Sequence, residues 1–150
     1  MNRPEEALHK ACVAYLRSAL PKPWFCFHCA NGGGRSKAEA GILKAMGVLA
    51  GMPDVFVMGP EVREQHARSG LWTHSTTIIT PRLIAIEFKA PPKRLKHGGV
   101  SKALPRLSPA QRARQIDLGA CGVPYLVVDD IAEMIQALKA LHVPLRGRAM

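Results

Sequence analysis

The chain has 150 residues, 47% of them hydrophobic, enough to enclose one core and too few for two substantial ones, so it reads as a single domain over residues 1–150. No run approaches the ~18 consecutive apolar residues that a membrane-spanning helix needs, and the opening MNRPEEALHK lacks the basic-then-apolar layout of a secretory signal; the expectation is a soluble, cytoplasmic protein with no membrane partner. The formal charge of +10, from 21 Lys and Arg against 11 Asp and Glu, makes a polyanion such as nucleic acid the natural partner, although a generally basic solvated surface would carry the same charge.

Pro4 suits a helix's first turn, and Leu8, Cys12, Tyr15 and Leu16 recur at helical spacing, so the chain opens with a helix that Pro21 and Pro23 end. A short strand over Phe25 to His28 leads into the turn-rich Asn31-Gly32-Gly33-Gly34. A second helix is expected over Lys37 to Leu49, opened by Ser36 with Glu39 in a capping-box pattern. Val55 to Met58 is an apolar, β-rich run typical of a buried strand. Residues 59–80 mix charges with a Thr-rich tract and are expected to form an irregular excursion or a peripheral hairpin. Leu83 to Lys89 resumes a strand, with Ile84, Ile86 and Phe88 on one face and Ala85, Glu87 and Lys89 on the other. Ser108-Pro109-Ala110-Gln111 begins a helix that Gly122 stops. Pro124 to Val128 supplies a last strand, and Ile131 to Leu141 a closing helix with the apolar stripe Ile131, Met134, Ile135 and Leu138.

The four cysteines contain one C-x-x-C pair, Cys26 and Cys29. Zinc is its functional reading, but residues three apart on a strand point to opposite faces, and no second pair exists. Buried, reduced thiols are the favoured alternative.

Asp54, Glu87 and Lys89 interrupt or adjoin otherwise apolar strands. A charge in such a place is costly unless it is paired or bound to a metal. If the two strands are neighbours, both carboxylates can face one point, and hard ions such as Mg2+ take one or two carboxylates together with water and phosphate oxygens. Such an ion polarises a phosphoryl oxygen and lowers the pKa of bound water. Taken singly, these residues are better read as an Asp before a strand and a solvated Glu/Lys pair at a strand end.

Gly51-Met52-Pro53-Asp54, an apolar strand and then Ile86-Glu87-Phe88-Lys89 resemble the PD-(D/E)XK nuclease signature. The arrangement is similar to the VRR-NUC branch in particular, through the helix beginning at Glu5, the Asn31-Gly32-Gly33 loop, the glycine before the Pro-Asp pair, and Leu107-Ser108-Pro109-Ala110-Gln111 opening the later helix. The resemblance spans roughly residues 4 to 140. It implies an α/β, restriction-endonuclease-like fold with a mixed central sheet flanked by helices. Asp54 and Glu87 become ligands of Mg2+ or Mn2+, with the backbone carbonyl of Phe88 and a first-helix carboxylate, Glu5 in preference to Glu6, as further ligands. Lys89 becomes the cation that orients water or stabilises charge, and Gln111 an accessory site residue. Glu5 has an alternative role as a favourable charge at a helix N-terminus. The loop near the site brings His28 and Asn31 toward a phosphate; a strand-end His and a turn Asn are their ordinary alternatives.

From Ala90 to Ile116 there is no acidic residue, whereas Lys93, Arg94, Lys96, Lys102, Arg106, Arg112 and Arg114 supply positive charge next to Lys89. A phosphate backbone would meet an attractive field there. The expected activity is metal-dependent endonucleolytic hydrolysis of DNA. Stand-alone members of the family that work as paired subunits on four-way junctions imply a homodimer acting on branched, Holliday-junction-like DNA, with residues 59–80 and the closing helix either as interface or as cover for the domain's own core. The alternative is a non-catalytic basic module that binds DNA or RNA.

Overall fold

The computed structural model describes residues 3–29, 36–69, 71–92 and 107–147. Its elements are α1 (Arg3–Ala19), β1 (Phe25–His28), α2 (Lys37–Ala45), β2 (Val55–Ser69), β3 (Trp72–Phe88), α3 (Pro109–Ala120), β4 (Tyr125–Val128) and α4 (Ile131–Ala140). This is the order expected from the sequence. The strands form one four-stranded sheet, β1-β2-β3-β4. β1 and β3 run antiparallel to β2, while β4 lies parallel to β3. A parallel neighbour needs a crossover, and α3 lies within it. Among the described residues no helix is long and apolar enough to cross a membrane.

Alternation along the strands divides the sheet into two unlike faces. Val55 and Val57 of β2, Ile84, Ile86 and Phe88 of β3, and Val128 of β4 are buried in one cluster with Cys12 and Leu16 of α1 and Met134 and Leu138 of α4. The apolar stripes of the two outer helices therefore cover a single sheet face. On the other face Phe25 and Phe27 stay partly exposed, and Phe27 stacks on Phe56 with ring centroids 5.5 Å apart. Met134 and Leu138 are fully buried, so α4 closes the protein's own core and is not the free interface surface entertained from its sequence.

Three features differ in part from expectation. α2 stops at Ala45, not Leu49, because Gly47, at φ +89°, begins a left-handed exit: its N–H donates to Lys44 O at 3.1 Å, and Val48 N–H donates to Leu43 O at 2.9 Å. β2 and β3 run on beyond the expected apolar runs: of the two expectations for residues 59–80 the peripheral hairpin holds, as a regular ribbon among the described residues with Val62 opposite Ile79 and Ser69 opposite Trp72. Residues 62–68 and 73–81 of this arm are exposed. The third difference is the thiols. All four are free, but only Cys12 is buried, and Cys121 is exposed. Burial pushes the Cys12 thiol up to about 11 and raises Cys26 and Cys29 as well, which keeps these three protonated and unreactive at neutral pH.

Gly51 fixes where α3 begins. Its φ is +78°, and a β-carbon there would collide with the backbone of Ala110 and come within 2.6 Å of Gln111 N. Gly47 shares the positive φ, but a β-carbon there would meet nothing within 4 Å. We predict that Gly47→Ala costs about 1–2 kcal/mol from backbone strain alone and that Gly51→Ala costs a further ~1–3 kcal/mol from the collision. Urea midpoints of the two variants provide the measurement. Equal losses would show that α3 does not depend on this close approach.

Candidate functional site

Asp54 immediately precedes β2 and is tied to both neighbouring strands. Its carbonyl accepts Cys29 N–H at 2.9 Å and His28 Nδ1–H at 2.7 Å from the end of β1. Its carboxylate Oδ2 accepts Phe88 N–H at 2.8 Å from the end of β3. The Pro-Asp dipeptide makes this possible. Continuing the β2–β3 register sets Pro53 opposite Phe88, and the aspartate side chain takes the N–H there.

Glu87 points from β3 to the face opposite the core cluster, where it is 2% exposed, the one buried charged residue among the described residues. Lys89 Nζ donates to its Oε1 at 2.8 Å. Gln111 Nε2 also donates to Glu87 Oε1, while Gln111 Oε1 accepts from Lys89 Nζ at 3.1 Å and from Ser108 N–H at 2.9 Å. Gln111 thus completes the α3 capping box and locks the Glu87–Lys89 pair with one amide. The expected side-by-side projection of Glu87 and Lys89, and the accessory place of Gln111, are present.

Burial pushes the Glu87 carboxyl up to about 7; the hydrogen bond from Lys89 opposes this, and the charges of Asp54 and Glu5 add to it. Two residues that sequence reasoning passed over belong to the same environment. The Tyr125 hydroxyl lies 3.5 Å from Glu87 Oε2, and burial followed by the Glu87 and Asp54 charges raises its pKa. His9 stacks on Phe88 with ring centroids 4.7 Å apart and meets the His28 ring at a tilt, 5.0 Å away. Burial lowers its pKa against the opposing pull of Asp54 and Glu5, so the ring is neutral at neutral pH. The available signals were the position of His9 one turn after Glu5 on the first helix and the same-face placement of Tyr125 opposite Ala85 in the β3–β4 register.

Glu6 turns to Lys10 at 2.6 Å on the outer surface. The charge of Glu5, by contrast, is felt at both His9 and Glu87. Even so, no three of the described His, Cys, Asp and Glu residues converge closely enough to hold an ion by themselves, so Glu5 is near the site without forming a three-ligand cluster. The donor set still suits a hard divalent cation. Among the described residues Asp54 Oδ1 receives no hydrogen bond and Glu87 Oε2 receives only the long Tyr125 contact, and burial beside two other carboxylates leaves Glu87 short of positive charge.

Of the expected phosphate contacts, His28 reaches the site through the Asp54 carbonyl. Arg112 is exposed on α3, whereas Arg114 pairs with Asp117 at 2.8 Å. Asn31, Lys93, Arg94, Lys96, Lys102 and Arg106 lie outside the described residues. No protein-family model, curated protein or solved structure matches the chain.

A carboxyl held near 7 when folded and near 4.5 when unfolded binds more protons in the native state between those values. Stability contributed by protonated Glu87 is therefore present at low pH and lost as pH rises through this window. We predict that Glu87→Gln flattens the decline. Urea midpoints compared at about pH 5 and about pH 8 measure it, and an unchanged slope in the variant would remove Glu87 as its source.

Proposed function

We propose that this chain is a metal-dependent nuclease with a restriction-endonuclease-like core of the PD-(D/E)XK type, hydrolysing phosphodiester bonds in DNA. The observation that carries the reading is the buried Glu87 with Lys89 Nζ at 2.8 Å, set beside a carboxylate, Asp54, that is anchored to the adjacent strand. A module that only binds a polyanion has no use for inward carboxylates opposing it, and it gains nothing from burying one. This observation favours catalysis over the binding-module alternative.

Asp54 Oδ1, Glu87 Oε2 and the Phe88 carbonyl are the oxygens that would hold Mg2+ or Mn2+, with water and substrate oxygens completing the set. The ion, when held, polarises a phosphoryl oxygen and lowers the pKa of water. Lys89 orients the attacking water and offsets the charge that develops on the phosphoryl oxygens. Gln111 keeps Lys89 and Glu87 from swinging apart, because its amide bonds to both. Water adds to phosphorus, the P–O bond to the leaving strand breaks, and the leaving oxygen takes up a proton.

We predict that Lys89→Ala lowers the cleavage rate by about 100- to 1000-fold while changing DNA affinity little, since many other cations share the phosphate attraction. Excess chelator should stop the parent enzyme, and Mg2+ or Mn2+ should restore it. Single-turnover cleavage and equilibrium binding on the same labelled DNA measure both. Parent-rate cleavage by Lys89→Ala, or full activity in chelator, would refute the mechanism.

The proposed substrate is branched DNA and the proposed working unit a homodimer, because symmetrical cutting of a junction needs two sites and this domain supplies one. The arm supports this reading. A two-stranded ribbon exposed on both sides is marginal alone in water, and the outer edge of β3 from Trp72 to Thr80 carries no Lys, Arg, Asp or Glu, the residues that usually protect an open edge. Ala85 and Lys89 direct their N–H groups to β4, so by alternation Thr77 directs its own to the free edge. We predict that Thr77→Pro turns a dimer into a folded monomer and abolishes paired cutting of four-way junctions. Light scattering with end-labelled junctions and matched linear duplexes tests this, and a parent monomer that cuts both substrates equally would overturn it.

A further inference from the structure

A second region of concentrated positive charge lies outside the site. At the far end of α1 a cleft of about 750 Å³ is lined by Arg17, Lys22, Trp24, Phe25 and Arg146 among others. The three cations are exposed, and none has an acidic partner within ion-pair distance among the described residues. The cleft wall is held firmly. Arg146 N–H donates to Ala19 O at 2.7 Å, and Trp24, 9% exposed, packs against Gly59 so closely that any β-carbon there would collide with its ring. Phe25, in contrast, is 49% exposed at the edge of the sheet.

A second groove leads from this cleft toward the proposed catalytic centre. This groove, of about 390 Å³, runs beside α1 and is lined by His9, Lys10, Val13, Arg17 and His28 among others. It shares Arg17 with the cleft, and at its other end His28 bonds to the Asp54 carbonyl and His9 stacks on Phe88. Glu6, the acid in the groove, is neutralised by Lys10 at 2.6 Å. The nine residues from His9 to Arg17 carry the groove along about 12 Å of helix. Unpaired cations beside an exposed aromatic ring are the means by which a single strand is held, with the backbone on the charges and a base stacked on the ring. A duplex, its bases already stacked, cannot offer one to Phe25.

We propose that the α1–β1 groove is a second nucleic-acid subsite, which takes a single-stranded extension of the substrate where it leaves Asp54 and Glu87 and holds its phosphates on Arg17, Lys22 and Arg146 and a base on Phe25. The reading of the chain as a DNA-acting enzyme identifies the strand, and none of the residues named for the subsite belongs to the basic segment that follows Lys89.

The probes are a fluorescent twelve-nucleotide oligothymidylate and a blunt twelve-base-pair duplex, each titrated by anisotropy in chelator across a series of salt concentrations. The Arg17→Ala, Arg146→Ala double variant should lower the salt slope for the single strand by about 1.4, the value for two lost phosphate contacts, with little change for the duplex. Phe25→Ala should weaken single-strand binding by about tenfold. Circular dichroism melts confirm that each variant is folded, and Lys22→Ala, on an exposed side chain, repeats the slope test with an expected decrease of about 0.7. An unchanged single-strand slope, or equal losses for strand and duplex, would overturn the subsite. Since binding is read in chelator, the result is independent of whether the parent protein cleaves DNA.

Discussion

Asp54 is the joint on which the arrangement depends. Through its carbonyl it terminates β1, through its position it starts β2, and through its carboxylate it caps the end of β3. Each bond satisfies a polar group at a place where the sheet would otherwise leave one open, so the residue is held from three directions. A carboxylate so restrained has little further entropy to lose on engaging any ligand. The preceding proline contributes by having no N–H to compete for the opposing strand, and the glycine two residues before that proline leaves room for the start of α3.

From this joint the site extends by shared bonds. Gly51 admits the Ala110–Gln111 backbone, Ser108 and Gln111 cap α3, and the same Gln111 amide reaches Glu87 and Lys89. Helix capping and site geometry are therefore one construction. The buried charge of Glu87 is tolerated because three donors surround it, yet burial first, and the charges of Asp54 and Glu5 after it, keep its carboxyl near 7. An excess of negative charge in a dry place is what a cation-binding site requires before the cation arrives.

The rest of the surface is uneven in a way that matches these demands. One sheet face is sealed by α1 and α4. The opposite face carries the site, the exposed phenylalanines and α3, while the arm extends β2 and β3 beyond the core, its residues 62–68 and 73–81 exposed. The groove along α1 begins at His9 and His28 and ends at Arg17 and Arg146, which have no acidic partner among the described residues. Charge that composition can only count is thereby divided into a track beside α1, an exposed arginine on α3 and a stretch that follows the site in the chain.

Much of the fold was legible locally. Helix starts at Ser36 and Ser108, the stop at Gly122 and the alternation in Leu83 to Lys89 are short-range rules, because caps and strand faces are decided by neighbours three or four residues away. The pairing of Glu87 with Lys89 followed from the same alternation. Other features were not legible, for the opposite reason. Whether residues 59–80 formed a loop or a ribbon depended on fifteen consecutive cross-strand partners, and a Thr-rich tract satisfies either. His9 resembled any polar residue on an amphipathic helix, and Tyr125 any β-former, until the packing of α1 and the β3–β4 register brought them to Phe88 and Glu87. The sequence by itself determined which residues could be buried, capped or paired along each element. Only the tertiary structure decided that Asp54, Glu87, Lys89 and Gln111 meet, because their meeting requires two strands in register and a helix returning over a glycine, contacts between residues far apart in the chain that no local pattern encodes.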